Sequence, residues 1–186
     1  MKKIIILFLF SLSHISCKKE DYNIINLNGN RISVLGHGGM GISHTYPMNS
    51  FEAISNCLNL GADGTEIDVE MTKDSVLVAF HDLDLSDRTN ISGTIYKKDW
   101  HEISHASYKE PLYTNYRIIN LDRLFSGLGN KLDKLFALDC KNFNPDTSAY
   151  YRNTFCTALI KIIDNYNIQD NVILELKRED LIRTLK

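Results

Sequence analysis

At 186 residues, with 44% hydrophobic and 24% charged side chains, the chain has the make-up of a folded domain rather than a disordered one. A formal net charge of −2 with no basic block excludes the clustered Lys and Arg that nucleic-acid phosphates demand. Past the N-terminus no apolar run is long enough for a membrane helix.

The first residues read as an address. Met1-Lys2-Lys3 is basic, Ile4 to Phe10 is unbroken and apolar, and Ser11 to Ser16 is small and weakly polar before Cys17. This is the order of a secretory signal whose apolar part is too short to span a bilayer, so residues 1–16 are expected to be a signal peptide. The position of Cys17 resembles a bacterial lipoprotein cleavage site, with His14 where such sites usually carry Leu. An ordinary signal peptide cut nearby is the alternative. On the lipoprotein reading Cys17 bears the lipid and the polar, Asn-rich residues 17–30 form a tether. The protein would then sit in the cell envelope, held to a membrane by its lipid anchor. Residues 31–186 are of one-domain size. Cys57, Cys140 and Cys156 remain; three thiols cannot pair completely, and Cys57 and Cys140 fall in helical and strand patterns as buried small hydrophobes.

Ile32 to Gly36 predicts a short strand ending at His37, followed by a loop with Gly38, Gly39 and Gly41. Ser50 is an N-cap for a helix with Phe51, Ala53, Ile54 and Leu58 on one face, and Gly61 closes it. Gly64–Glu70 and Val76–Phe80 predict strands on either side of a turn at Lys73-Asp74-Ser75, the second ending at His81. Residues 83–119 carry few signals. A short helix over 120–128, a strand over 135–138 ending in Asp139-Cys140-Lys141, a helix over 147–166, a strand over 172–176 and a helix start at 178 complete the chain. Strands alternating with helices predict a parallel β/α architecture. Ionisable residues at strand ends favour a barrel, although an open doubly wound sheet shows the same tendency.

Glu66 and Asp68 are two apart on a strand and so share a face. Carboxylates brought together repel unless one is protonated or a cation lies between them. With Asp139 at the end of another strand, three could converge on a hard cation such as Mg²⁺ or Ca²⁺. Glu and Asp facing water on an edge strand is the bland alternative. His37 and His81, both at strand ends, suit general acid/base work. Lys141 shares a face with Asp139; it either holds a phosphate oxygen or pairs with Asp139 or Glu66. The glycines after His37 would let backbone approach an anion. His44 and Arg88 are loop residues that could face the site or simply the solvent.

The ordered set His37-Gly38-Gly39, Pro47-Met48-Asn49-Ser50, Gly61-Ala62-Asp63, Glu66-Ile67-Asp68-Val69, Thr72-Lys73-Asp74, His81-Asp82, Arg88-Thr89, Asn120 to Phe125 and Asp139-Cys140-Lys141 resembles the glycerophosphodiester phosphodiesterases. The match runs well over residues 32–141 and fades after that. The resemblance implies a TIM barrel of the phospholipase-C-like type and hydrolysis of glycerophosphodiesters to an alcohol and sn-glycerol 3-phosphate. It implies Glu66, Asp68 and Asp139 as ligands of Mg²⁺ or Ca²⁺, and His37 and His81 as the acid/base pair. Lys141, Gly38, Asn49 and Arg88 would contact substrate. Phosphoinositide-specific phospholipases C and sphingomyelinases D share the barrel, the histidines and the carboxylates. The early Glu-x-Asp and the His-Asp after the third strand favour the first family over the phospholipases C.

Three departures accompany the resemblance. The family's Arg after the first His is Gly38, its Glu in the helix-opening segment is Met48, and its third carboxylate is the shorter Asp139. His44 is a candidate to take over from the missing Arg. A complete β/α barrel needs about 250 residues, so the barrel is expected to be incomplete, with about its first five β/α units. Residues that select the head group are then expected beyond residue 186. The competing reading is a catalytically impaired envelope lipoprotein that binds a phosphorylated ligand or partner.

Overall fold

The computed structural model describes residues 24–43 and 45–185, without the side chain of Ile42. The expected signal peptide, Cys17 and His44 lie outside the described residues. Residues up to Ile32 form one unit and those from Ser33 onward another. In the first, Ile25 bridges Arg31 in antiparallel fashion, and the Ile32 amide donates to the Ile24 carbonyl at 2.8 Å.

The second unit is an open, mixed sheet of six strands with helices against one face. Its elements are β1 (Leu35–Gly36), α1 (Phe51–Asn59), β2 (Gly64–Met71), β3 (Leu77–Ala79), α2 (Trp100–Ile103), β4 (Ile119–Asn120), α3 (Leu121–Leu128), β5 (Leu135–Cys140), α4 (Ala149–Tyr166), β6 (Val172–Leu176) and α5 (Glu179–Thr184). Strands β1, β2, β5 and β6 run parallel and neighbour one another in that order, as the first strands of a β/α barrel do.

The helices begin where their caps predict. Ser50 accepts the Ala53 amide, Asn120 that of Arg123 and Ser148 that of Tyr151, each relieving an orphan N–H of a first turn. Gly61, at φ +104°, turns the chain out of α1, and Asn167, at φ +51°, does the same for α4. Ile67, Val69 and Met71 of β2 and Phe136, Leu138 and Cys140 of β5 point to one face. There they meet Ile54, Leu58, Leu124, Phe125, Phe155 and Leu159 of the helices. That leaves Glu66, Asp68, Glu70, Asp139 and Lys141 on the opposite face. Cys57, Cys140 and Cys156 are buried free thiols, as expected for Cys57 and Cys140.

One strand departs from the wholly parallel expectation. β3 pairs antiparallel with β2, with Val69 opposite Ala79 and Met71 opposite Leu77. The connection from Met71 to Leu77 is the reason: a parallel return needs a crossover of a dozen or more residues, and this tight turn permits only a hairpin. Ser75, at φ +68°, makes the reversal, and Asp74 ties it down by accepting from Thr72 Oγ1 (2.6 Å) and the Trp100 amide (2.9 Å). β4 then pairs with β3. Residues 76–118 are not featureless: Val78, Phe80, Leu85, Ile95, Ile103, Ala106, Tyr108, Tyr113 and Ile118 bury into a second small core. Apart from Val78 in β3 and Ile103 in α2, they do so from turns, bends and isolated bridges, where neither helical nor strand periodicity is legible.

Candidate active site

The reversal of β3 builds the site. β1 lies beside the beginning of β2, pairing with Gly64 and Thr65, while β3 lies beside its end, pairing with Val69 to Met71. Along that edge of β2 the two strands approach each other head-on. Between them lie Glu66, Ile67 and Asp68. The chain leaves β1 at His37 and β3 toward His81, with the Phe80 amide donating to the Asp68 carbonyl at 3.1 Å. Two histidines from strands of opposite direction thus close on one short stretch. On the other edge of β2, β5 places Asp139 directly opposite Asp68.

Glu66, Asp68 and Asp139 bring one carboxylate oxygen each to within 4.8 Å of one another. The Lys141 ammonium lies 2.6 Å from both Asp68 Oδ1 and Asp139 Oδ2. Of the partners left open for it, Lys141 therefore takes Asp139 and Asp68. Burial works against its charge, but the two carboxylates outweigh this and raise its pKa. Glu66 is raised too, first by burial and then by the Asp68 charge. The Gly38 amide, donating to Oε2 at 2.8 Å, and His37, with Nδ1 at 3.6 Å, oppose the rise. Asp139 Oδ1 is buried and accepts no hydrogen bond, an expensive state for a carboxylate oxygen. Three converging oxygens with one left unpaired suit a hard cation.

Asn49 holds Asp68 in place. It is 1% exposed, at φ +64°, and its amide Nδ2 donates to Asp68 Oδ2 at 2.6 Å while its Oδ1 accepts the Asp68 amide at 3.0 Å. Its polar atoms thus serve the carboxylate. The Gly38 amide is likewise occupied by Glu66, and a Cβ at Gly38 would fall 2.1 Å from Met48 Cγ. The two departures noted at 38 and 48 are therefore one feature: the Met48 side chain fills the space beside Gly38. Arg88 bridges Asp82 (2.9 Å) and Glu110 (3.4 Å). His81 Nδ1 lies 2.8 Å from Asp82 Oδ1. Burial pushes the Asp82 carboxyl up, but the hydrogen bonds from His81 and Arg88 outweigh it and hold it below its ordinary range.

Glu70 was not singled out from the sequence. It is 2% exposed, accepts the Phe143 amide at 3.3 Å, and burial pushes its pKa up to about 7. The signal was present: Glu66, Asp68 and Glu70 alternate along β2 and share a face.

The model of the glycerophosphoryl diester phosphodiesterase family matches residues 40–184. The chain belongs to that family. It is 31% identical over 156 residues to the glycerophosphodiester phosphodiesterase of Caldanaerobacter subterraneus subsp. tengcongensis, covering 82% of this chain and 61% of the relative. Among solved structures, it is similar to the Thermotoga maritima glycerophosphodiester phosphodiesterase (26% identity, TM-score 0.59, 78% of this chain and 54% of that one). It also resembles in fold an Oleispira antarctica phosphodiesterase solved with the product sn-glycerol-3-phosphate (20% identity, TM-score 0.68, 82% and 60%). The chain thus spans a little over half the length of these relatives.

Proposed function

We propose that the chain hydrolyses glycerophosphodiesters to an alcohol and sn-glycerol 3-phosphate, with Glu66, Asp68 and Asp139 holding a Mg²⁺ or Ca²⁺ and His37 and His81 exchanging protons. One observation carries this reading: three carboxylates and a lysine on one face of two adjacent strands, flanked by two histidines brought in from opposite directions. The product seen in the Oleispira enzyme supports the substrate class. Bound at the three carboxylates, the cation would neutralise them and polarise the phosphoryl oxygens.

The chain's own residues supply the rest. Lys141, already gathered between two carboxylates, would donate to a phosphate oxygen and stabilise the charge that grows there. His37, at the end of β1, would take the proton of the attacking hydroxyl. At His81 the ionised Asp82 can only accept, so Nδ1 carries the proton toward it and Nε2 is left to exchange one with the leaving oxygen. The fixed Arg of the family is replaced by Gly38, so phosphate binding would rest on Lys141. Attachment to the cell envelope through a lipid on Cys17 belongs to the same proposal and is supported by residues 1–17 of the sequence. The intact mass of the mature N-terminal peptide tests it, an unmodified Cys17 refuting it.

The deciding experiment is release of sn-glycerol 3-phosphate from a glycerophosphodiester by the full chain, with and without EDTA. EDTA is expected to abolish release, and His37→Ala and His81→Ala each to lower kcat by about a hundredfold or more, the usual worth of a positioned acid or base. EDTA-insensitive release would refute the cation's role. A folded, cation-binding chain without turnover would replace hydrolysis with ligand binding.

A further inference from the structure

The geometry points to a methylated ammonium as the head group of the substrate, held in an aromatic cavity beside His81. This rests on the hydrolase reading above. The cavity holds about 600 Å³ and opens between residues 41 and 113, with His81 on its wall. Residues within the chain would then contact the head group, besides any expected beyond residue 186.

The wall is aromatic. Tyr46, Phe80, Tyr108 and Tyr113 line it. Tyr46 and Tyr113 are braced by Tyr116, edge to face, with ring centroids 5.9 and 6.3 Å away. The Tyr108 hydroxyl donates to the Met48 carbonyl at 2.9 Å, so its polar end is occupied. Ring faces attract cations. Local charge adds to this: two carboxylates, Asp82 and Glu110, line the cavity, held by Arg88 between them. A polyol head group would need several donors and acceptors, and Arg88 and Tyr108 are already engaged. A primary ammonium would need acceptors for three N–H groups, whereas both Asp82 oxygens are engaged by His81 and Arg88 and Glu110 Oε1 by Arg88. A trimethylammonium needs none, and asks only for ring faces and nearby carboxylates.

Placing this group against His81 puts the leaving alcohol, rather than the glycerol, on that side of the phosphate. His81 is then the proton donor to the alkoxide, and His37 the base.

Isothermal titration of the full chain with choline, with ethanolamine and with 3,3-dimethylbutan-1-ol, the uncharged isostere of choline, tests the inference. Choline is expected to bind at least tenfold more tightly than the other two, and Tyr113→Leu and Glu110→Gln each to reduce that preference. Tyr46→Leu serves as a second aromatic variant should Tyr113→Leu fail to fold. In turnover, kcat/KM for glycerophosphocholine is expected to exceed that for glycerophosphoinositol by a similar factor. Equal binding of choline and its neutral isostere, or equal kcat/KM for the two diesters, overturns the head-group inference and leaves the hydrolase reading standing. Choline binding without hydrolysis of any diester supports the cavity and refutes the hydrolase reading instead.

Discussion

Gly38 and Met48 are ten positions apart in the chain and in contact in the fold. Gly38 sits at φ +55°, and any side chain there would meet Met48 Cγ at 2.1 Å. Gly38→Ala is expected to lower stability by about 1–2 kcal/mol through its left-handed backbone, plus a steric part that Met48 must yield to. Combining it with Met48→Ala should recover the steric part alone. A coupling of at least about 0.5 kcal/mol in urea unfolding checks this, and strict additivity would rule out the contact. Lys141 is the other test at this scale. Its ammonium is the counter-charge of both Asp68 and Asp139. Lys141→Met in EDTA should destabilise the fold by about 3–5 kcal/mol, the usual consequence of stranding a buried charge. Millimolar Ca²⁺ should return part of that loss. A variant as stable as the parent would show that Lys141 does not hold the carboxylates together.

At the scale of elements the hairpin of β2 and β3 matters most, because its direction delivers His81. Asp74 pins it through Thr72 and Trp100. Partial burial pushes the Asp74 carboxyl up, but those two hydrogen bonds outweigh it and lower its pKa below 3.8. A depressed pKa means stability present above the unfolded value and lost as pH falls through the folded one. Asp74→Ala should therefore lower stability by about 1–2 kcal/mol at pH 7, from the lost hydrogen bonds. The difference from the parent should shrink below about pH 4. Urea midpoints at pH 7 and pH 3 measure both; an undiminished gap at pH 3 would mean the carboxylate's charge plays no part. The turn residues Lys73-Asp74-Ser75 were legible, and so was the reversal they make. The reading of β3 as one more parallel strand overlooked that so few residues cannot carry a chain back to the other end of the sheet.

For the molecule as a whole, the parallel strands β1, β2, β5 and β6 form a sheet that is not closed. Ile173 on the inner side of β6 is 51% exposed, and Glu175, opposite Asp139, is exposed on the same face. The carboxylate cluster is nevertheless assembled wholly from β2 and β5, which are flanked on both edges. A cation that binds only the folded chain stabilises it by mass action, by about 2.7 kcal/mol at a hundredfold excess over Kd. Thermal unfolding is therefore expected to shift upward with Mg²⁺ or Ca²⁺ in the parent and not in Asp139→Asn. Parallel shifts in both would place the bound cation elsewhere.

How much of this was written in the sequence depends on range. The period of two along Gly64–Met71 and Leu135–Cys140 determined which side chains face the helices, and with them the shared face of Glu66, Asp68 and Asp139. Ser50, Asn120 and Ser148 determined where helices begin, because a cap acts on an amide three residues away. The ordered motifs determined the family. Tertiary structure alone decided that Asp139 lies opposite Asp68, that Asn49 orients Asp68, that Met48 fills the space at Gly38, and that tyrosines scattered from 46 to 113 gather around one cavity. Those are contacts between distant segments, set by strand register and by packing of loops, and no local periodicity encodes them.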